Sequence, residues 1–247
     1  MKKNLLDRIA MGVSAPLSGL QILLSTRRLF ILSIFPILLG LGLIIFGFLV
    51  AAQFLGPWLT SWLSEIAWLQ ASQWLLPIVS TVLALFGWLA FSLANFLFGY
   101  LLMVILGGPF YSMMAEHQFR MEQPHFEPRN HIGLILKMLY WSLLKVLLFT
   151  FIGIFCFFLA FIPVVNFFSS FLVFSLIAFD CMDYAFEVDQ KSLASRIRFF
   201  FTHIWEFIGL SLAIIGTSFV PGSFFVLLPA FICGATKMYI QLQEEAV

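Results

Sequence analysis

Strong charge is almost absent between Arg28 and Glu116, where Glu65 is the single Asp, Glu, Lys or Arg residue. A soluble domain this apolar would have too little polar surface to face water, whereas a bilayer accepts such a chain if its backbone hydrogen bonds are made within helices. The whole chain agrees, since 62% of its residues are hydrophobic and 10% are charged, against about 25% charged in an average soluble protein. The sequence therefore predicts an all-α integral membrane protein.

The composition also excludes several classes of function. A net charge of +1 excludes strong nucleic-acid binding by bulk charge. No GxSxG, GxxxxGK[ST] or HExxH motif is present, and His117, His125, His131 and His203 show no metal-ligand spacing, so they are interpreted as surface histidines near an interface. We therefore expect no enzyme activity, no cofactor and no metal site.

The charged residues fall into clusters that predict the orientation of the chain. Each cluster contains Lys or Arg, and the four clusters are Lys2–Arg28, Glu116–Lys145, Asp180–Glu206 and Lys237–Glu245. By the positive-inside rule all four belong on the cytoplasmic side, which places both termini there. The region Gln53–Gln73 lacks basic residues and is rich in tryptophan, as is typical of the outer interface.

Two segments are predicted to cross the membrane completely. Residues 29–55 are long enough, as a helix, for a hydrocarbon core of about 30 Å, and residues 56–73 form an external loop. Residues 74–115 are longer than one crossing needs, so this helix must tilt, extend into the cytoplasm or break. Gly107-Gly108-Pro109 is the natural position for a break, because Pro lacks an amide donor and Gly weakens a helix.

The other two apolar stretches, 146–179 and 207–236, begin and end beside basic clusters, so each must enter the membrane and return. Each has a breaker near its middle, Pro163 in the first and Pro221-Gly222 in the second. The resulting arms of roughly 13–15 residues reach about 20–22 Å as helices, which is short of a crossing. We predict two hemi-penetrating helical hairpins. Four short complete spans, giving six transmembrane helices, are the alternative.

Amphipathic spacing predicts two further helices, Asn4–Leu24 and Lys191–Ile204, along the cytoplasmic interface. In the first, the apolar positions are Leu5, Leu6, Ile9, Val13, Leu17, Leu20 and Leu24. The chain is thus predicted to be a single membrane domain over residues 1–247. Its expected cytoplasmic or interfacial parts are residues 1–28, 116–145, 180–206 and 237–247.

Several short motifs carry a resemblance to a known family, and they occur in the order of that family over most of the chain. They are the basic pair Arg27-Arg28 before an apolar helix, Gly108-Pro109-Phe110 leading to Ala115-Glu116, Phe161-Ile162-Pro163, Asp183-Tyr184-Ala185-Phe186, and Cys233-Gly234-Ala235-Thr236-Lys237-Met238. In this set the chain resembles the CysZ-like sulfate permeases.

The resemblance implies a fold of two full transmembrane helices with two hemi-penetrating hairpins, in homo-oligomers built from dimers. It implies sulfate uptake across a bacterial inner membrane for sulfur assimilation, with an anion site at the arginines that open the first transmembrane helix. The chain departs from the family where Ser25-Thr26 replace a glycine-containing turn, where Ala185 replaces a proline, and at the tip Val220-Pro221-Gly222.

The residues themselves make Arg27 and Arg28 the candidate anion-binding pair, with the hydroxyls of Ser25 and Thr26 as further donors. Arginine offers a planar fork of donors that matches an oxyanion, and a helix N-terminus adds a partial positive charge. The alternative is that the pair anchors the chain to lipid headgroups on the positive-inside side.

Glu116 and Asp183 lie at the cytoplasmic ends of apolar stretches. Each is expected to form an ion pair, with Arg27, Arg28 or Lys145 as the candidate partners, or to carry a coupling proton. Asp180 and Asp183 share a helical face, but no His or Cys lies at ligand spacing beside them.

The leading hypothesis is a channel-like or proton-coupled permease for sulfate or a related oxyanion, surrounded by membrane lipids. The alternative is a membrane scaffold or lipid-organising protein that transports nothing and uses the same basic clusters on anionic lipid. Flux in reconstituted vesicles separates the two.

Overall fold

The computed structural model describes residues 4–50, 53–54, 57–58, 61, 75–123, 147–148, 150–152, 154–155, 159, 162–220 and 222–245. These residues are helical apart from short turns, and no β-strand occurs among them. Most of the predicted external loop and of the cytoplasmic segment after residue 123, including Lys145, lies outside the described residues. The chain divides into two compact units, residues 1–38 with 103–247 and residues 39–102.

The helices whose bounds lie among the described residues are numbered in chain order. They run over Leu5–Ser25 (α1), Arg27–Val50 (α2), Leu75–Glu122 (α3), Pro163–Val188 (α4), Leu193–Thr202 (α5), Ile204–Ser218 (α6) and Ser223–Glu244 (α7). The smaller unit contains the end of α2 and the beginning of α3. The larger unit contains the first turns of α2, the end of α3 and all the other helices.

The core of the larger unit is built around α7, whose side chains are buried over most of its length, from Phe224 to Leu242. α1 packs against α6 and α7, and α4 packs against the same pair. α1 comes very close to α7, since a Cβ atom added at Gly19 would lie 2.0 Å from the carbonyl oxygen of Ala230. Glycine is therefore required where these two helices cross.

A helix begins at or just after each predicted breaker, whereas half of the first arm of the first hairpin, residues 146–161, lies outside the described residues. Ile162 is extended and Pro163 occupies the first turn of α4, which is where a proline costs a helix nothing. Gly222 has φ of +81° and precedes α7, a conformation that glycine adopts without steric cost. α6, which precedes Gly222 in the chain, has 15 residues and is about 22 Å long.

The two helices predicted from amphipathic spacing are also present, and α1 packs through a face other than its leucine stripe. Its buried positions are Gly12, Ala15, Gly19 and Leu23. Leu5, Leu6, Val13, Leu17 and Leu24 are exposed. Large apolar side chains point outward here because small residues allow the closest approach between helices that meet in or at a membrane.

Several boundaries differ from the sequence prediction. The break favoured at Gly107-Gly108-Pro109 does not occur, since α3 continues through Pro109. Packing against α2 supports this region, because the ring of Phe35 stacks on Phe110 with centroids 4.5 Å apart. α4 likewise continues to Val188, beyond the predicted end of the first hairpin at residue 179.

Among the described residues, two helices are long and apolar enough to cross a bilayer, α2 and α7. α2 begins at Arg27, two residues before the predicted span. α7 was predicted to end at residue 236 and extends to Glu244, because Lys237 and the residues after it are good helix formers. α5 and α6 meet at 85°. The chain is an all-α multi-pass membrane protein.

Candidate anion-binding site

A pocket of about 200 Å³ lies where the first turns of α2 face the last turns of α3. Its lining comprises Arg28, Leu32, Met113, Glu116, His117 and Arg120. Four of these six side chains are ionisable, and three of the four are able to carry a positive charge. The pocket therefore concentrates cationic groups at one end of two long apolar helices.

The connection between α1 and α2 positions Arg28. Thr26 is extended and ends α1, and its backbone N–H donates to the carbonyl of Ile22 at 3.0 Å. The carbonyl of Thr26 then accepts from the N–H of Phe30, also at 3.0 Å, which begins α2. Arg28 is thus in the first turn of α2, where the helix dipole is positive.

The other predicted site residues at this junction do not line the pocket. The hydroxyl of Ser25 donates to the carbonyl of Ile22 at 3.1 Å, so it is engaged within α1. Arg27 is exposed at the start of α2. Of the predicted set, the structure brings Arg28 and Glu116 together and leaves Ser25, Thr26 and Arg27 outside the lining.

Glu116 is paired within α3, not with Arg27 or Arg28 as the sequence suggests, and Lys145 lies outside the described residues. Its Oε1 accepts from Nη2 of Arg120, one helical turn further along. The Nε atom of Arg120 is buried and has no hydrogen-bond partner among the described residues. Of the two donors on this side of the guanidinium, Nη2 is therefore used by Glu116, whereas Nε is an unused donor.

His117 lies between the two arginines of the pocket. The predicted span ends at residue 115, so this imidazole lies beyond the end of that span. Burial lowers the pKa of His117 below 6.5, and the charges of Arg28 and Arg120 lower it further, whereas Glu116 raises it. At neutral pH the histidine is therefore uncharged, and the two arginines and one glutamate leave the pocket with a net charge of +1.

Asp183 belongs to a different part of the structure. It is buried on α4, and its Oδ1 accepts from Nη1 of Arg196 on α5 at 2.5 Å. Nε of the same arginine donates to the carbonyl of Lys191 at 2.9 Å. The expectation that Asp183 forms an ion pair is confirmed, but its partner lies 13 residues away in sequence and not at the basic pair of α2.

Sequence analysis missed Arg120 and assigned His117 to the general surface. The available signal was the spacing of Glu116, His117 and Arg120, which share one face of a helix at i, i+1 and i+4. That spacing is common on exposed helices, and only the approach of Arg28 from α2 makes it a pocket. No group of three His, Cys, Asp or Glu side chains suited to a metal ion occurs within the described ranges.

A comparison with protein families identifies one match. The family model described as sulfate transporter CysZ/etoposide-induced protein 2.4 matches residues 15–229, which include all six lining residues of the pocket. No curated protein matches the chain.

Proposed function

The chain belongs to the sulfate transporter CysZ/etoposide-induced protein 2.4 family, and from this premise we propose that it is a membrane permease for sulfate or a related oxyanion. One observation carries the proposal, the pocket in which Arg28 of α2 lies with His117 and Arg120 of α3. A pocket of this charge, at the end of two apolar helices, attracts anions to the surface of the membrane.

The donors of the pocket suit a tetrahedral oxyanion better than a halide. Each guanidinium presents parallel N–H groups that match two oxygens of one anion. The N-terminus of α2 adds a partial positive charge beside Arg28. Sulfate is doubly charged at physiological pH, so two guanidinium groups neutralise it in full once Glu116 no longer occupies Arg120.

We further propose that uptake occurs across a bacterial inner membrane with both termini cytoplasmic, and that it supplies sulfur assimilation. With no ATP-binding motif in the sequence, a gradient drives the flux, either passively or with protons. The hairpins around residues 163 and 222 are proposed to enter the membrane without crossing it, and the protein to assemble from dimers. The 15-residue length of α6 and its 85° angle to α5 support the partial entry of the first arm of the second hairpin, whereas its second arm, α7, has 22 residues and is long enough to cross.

A lipid-organising role without transport has one observation in its favour. α5 has no buried residue, and its exposed positions Leu193, Ile197 and Phe201 recur every four residues, as in a helix that lies in a membrane interface. An interfacial helix is also compatible with a permease, so we propose transport as the function.

The test is sulfate binding and flux with the full-length protein. Purified protein in nanodiscs is titrated with sodium sulfate, and radiolabelled sulfate uptake is measured in vesicles. We expect Arg28→Ala to weaken sulfate binding by roughly 10- to 100-fold, because a charge-assisted hydrogen bond contributes about 1.5–3 kcal/mol. Arg27→Ala should have a smaller effect, since Arg27 does not line the pocket.

Arg198→Ala is the matched control. It removes the same side chain from an exposed position of α5 that is not part of the pocket lining. Unchanged sulfate affinity in folded Arg28→Ala protein would refute the proposed site. Vesicles that take up no sulfate while the wild-type protein binds lipid would favour the lipid-organising role.

A further inference from the structure

We propose that Glu116 is an internal competitor for the anion site, and that a bound oxyanion displaces its carboxylate from Arg120. This inference rests on the proposed function, because it assigns to Glu116 the control of affinity at that same site. When the pocket contains no anion, the carboxylate occupies the position on Arg120 that the substrate takes when it binds.

The first argument is that only one of the two donors on the side of the Arg120 guanidinium has an acceptor in the ranges that the structure describes. Nε and Nη2 are the two donors on the side of a guanidinium that bind an oxyanion together. Glu116 uses Nη2 and leaves Nε buried without a hydrogen-bond partner in the described part of the chain. A buried donor without a partner is costly, so a ligand that reaches both nitrogens gains an interaction that Glu116 does not make.

The same protein contains a complete pair for comparison. Nε of Arg8 donates to Oε1 of Glu206 at 2.6 Å, and Nη2 of Arg8 donates to Oε2 at 2.9 Å. That pair joins α1 to α6, fills both donors of the fork, and is not part of the pocket. The pair Glu116–Arg120 therefore differs in geometry from a structural Arg–Glu pair of this fold.

The second argument is the strength with which Glu116 is held. Glu116 and Arg120 are one turn apart on the same helix, and such pairs contribute little when they are solvated. The side chain of Arg120 is 34% exposed and that of Glu116 is 12% exposed, so the pair is partly buried, and water and an incoming anion reach it from the exposed side of Arg120. Exchange of one carboxylate for a doubly charged oxyanion is accordingly favourable at Arg120, provided that Glu116 turns away from the anion.

Competition of this kind suits a permease. A site must bind its ion well enough to admit it and weakly enough to release it. A carboxylate that returns to Arg120 shortens the time for which the anion is bound, and its negative charge repels a dianion that has not yet left. Glu116 therefore lowers the affinity and speeds release.

The experiment is sulfate titration of the full-length protein with Glu116→Gln, which keeps the shape of the side chain and removes its charge. We expect sulfate to bind at least about tenfold more tightly than in wild type. Glu122→Gln is the matched control, because it removes the same charge from the same helix at an exposed position outside the pocket lining. It should change the affinity less than about twofold.

A second variant tests whether the gain in sulfate affinity depends on the paired N–H donors of Arg120. Arg120→Lys keeps a positive charge but lacks the paired donors, so Glu116→Gln should gain less than about threefold in an Arg120→Lys background. If Glu116→Gln is not recovered as folded protein, Glu116→Ala replaces it with the same expected gain.

The outcomes separate this inference from the proposed function. Sulfate binding that is equal or weaker in Glu116→Gln than in wild type overturns the competitor role and leaves the permease intact. Sulfate binding by none of the variants, at any concentration up to tens of millimolar, overturns both. A gain in Glu116→Gln that persists fully with Arg120→Lys also overturns the displacement, because charge removal alone then explains it.

Discussion

The crossing of α1 and α7 makes a sharp prediction about stability. In Gly19→Ala the new Cβ would lie 2.0 Å from the carbonyl oxygen of Ala230 and 2.4 Å from the backbone nitrogen of Gly234. Contacts of a Cβ atom under 3.0 Å essentially do not occur, so α1 must move away by at least about 1 Å. Both opposing atoms belong to the backbone and cannot turn aside as a side chain could.

The size of the effect follows from that displacement. A gap of 0.5–1 Å removes roughly a quarter to a half of each dispersion contact across it, and forced overpacking typically costs about 1–3 kcal/mol. The alanine itself favours the helix by about 1 kcal/mol over glycine. Because the clash involves backbone on both sides, we expect a net loss of about 2 kcal/mol, or a Tm lower by about 4–8 °C.

Gly216→Ala is the control for this prediction. Gly216 is an exposed residue of α6, and a Cβ atom placed there meets nothing within 4 Å. Its replacement should leave Tm unchanged or raise it slightly through helix propensity. Thermal unfolding of both variants in detergent, followed by intrinsic tryptophan fluorescence, decides the matter. If Gly19→Ala unfolds at the wild-type temperature, the helices are not as close as the structure places them.

Two further predictions concern buried charge. Asp183→Asn should lower the free energy of unfolding by about 3 kcal/mol, because it leaves the guanidinium of Arg196 without its carboxylate in a largely buried place. Thermal unfolding measures this change, and the exposed Glu244→Gln serves as the control. Burial lowers the pKa of His203 below 6.5, so the unfolded chain binds the proton more tightly and stability falls as pH drops from about 6.5 through the folded pKa. His203→Gln should show a smaller fall in Tm below about pH 6.5. If the Tm of this variant depends on pH as it does in the wild-type protein, the protonation of His203 does not cause the fall.

The sequence predicts the elements of this fold well where local signals set them. Proline and glycine fix the turns at Pro163 and Gly222, and the extended Thr26 separates α1 from α2 as the basic pair indicates. The break favoured at Pro109 does not occur, because packing between Phe35 and Phe110 supports a continuous helix. Propensity is a weak signal when neighbouring helices satisfy and hold the backbone.

The site was predictable only in part, for a similar reason. Arg28 carries a recognisable signal, since it opens an apolar helix. The contribution of α3 depends on which face of that helix turns toward α2, and no pattern within residues 116–120 specifies it. In α1 the leucine stripe at helical spacing marks an apolar surface without saying whether protein or lipid covers it, and it gives no sign that Gly12, Ala15, Gly19 and Leu23 form the packed face.

The contact between Arg8 and Glu206 joins residues 198 positions apart in the sequence, and it has a consequence for biogenesis. Domains are built from the N-terminus during translation, yet the helices that α1 packs against among the described residues, α6 and α7, are synthesised long after it. Until they emerge from the ribosome, the glycine face of α1 lacks these partners, and long-range closure of this kind is slow. A chain truncated before residue 223 would lack the α7 part of that partner surface and should be degraded. α1 thus reaches its native position only after helices that are made much later.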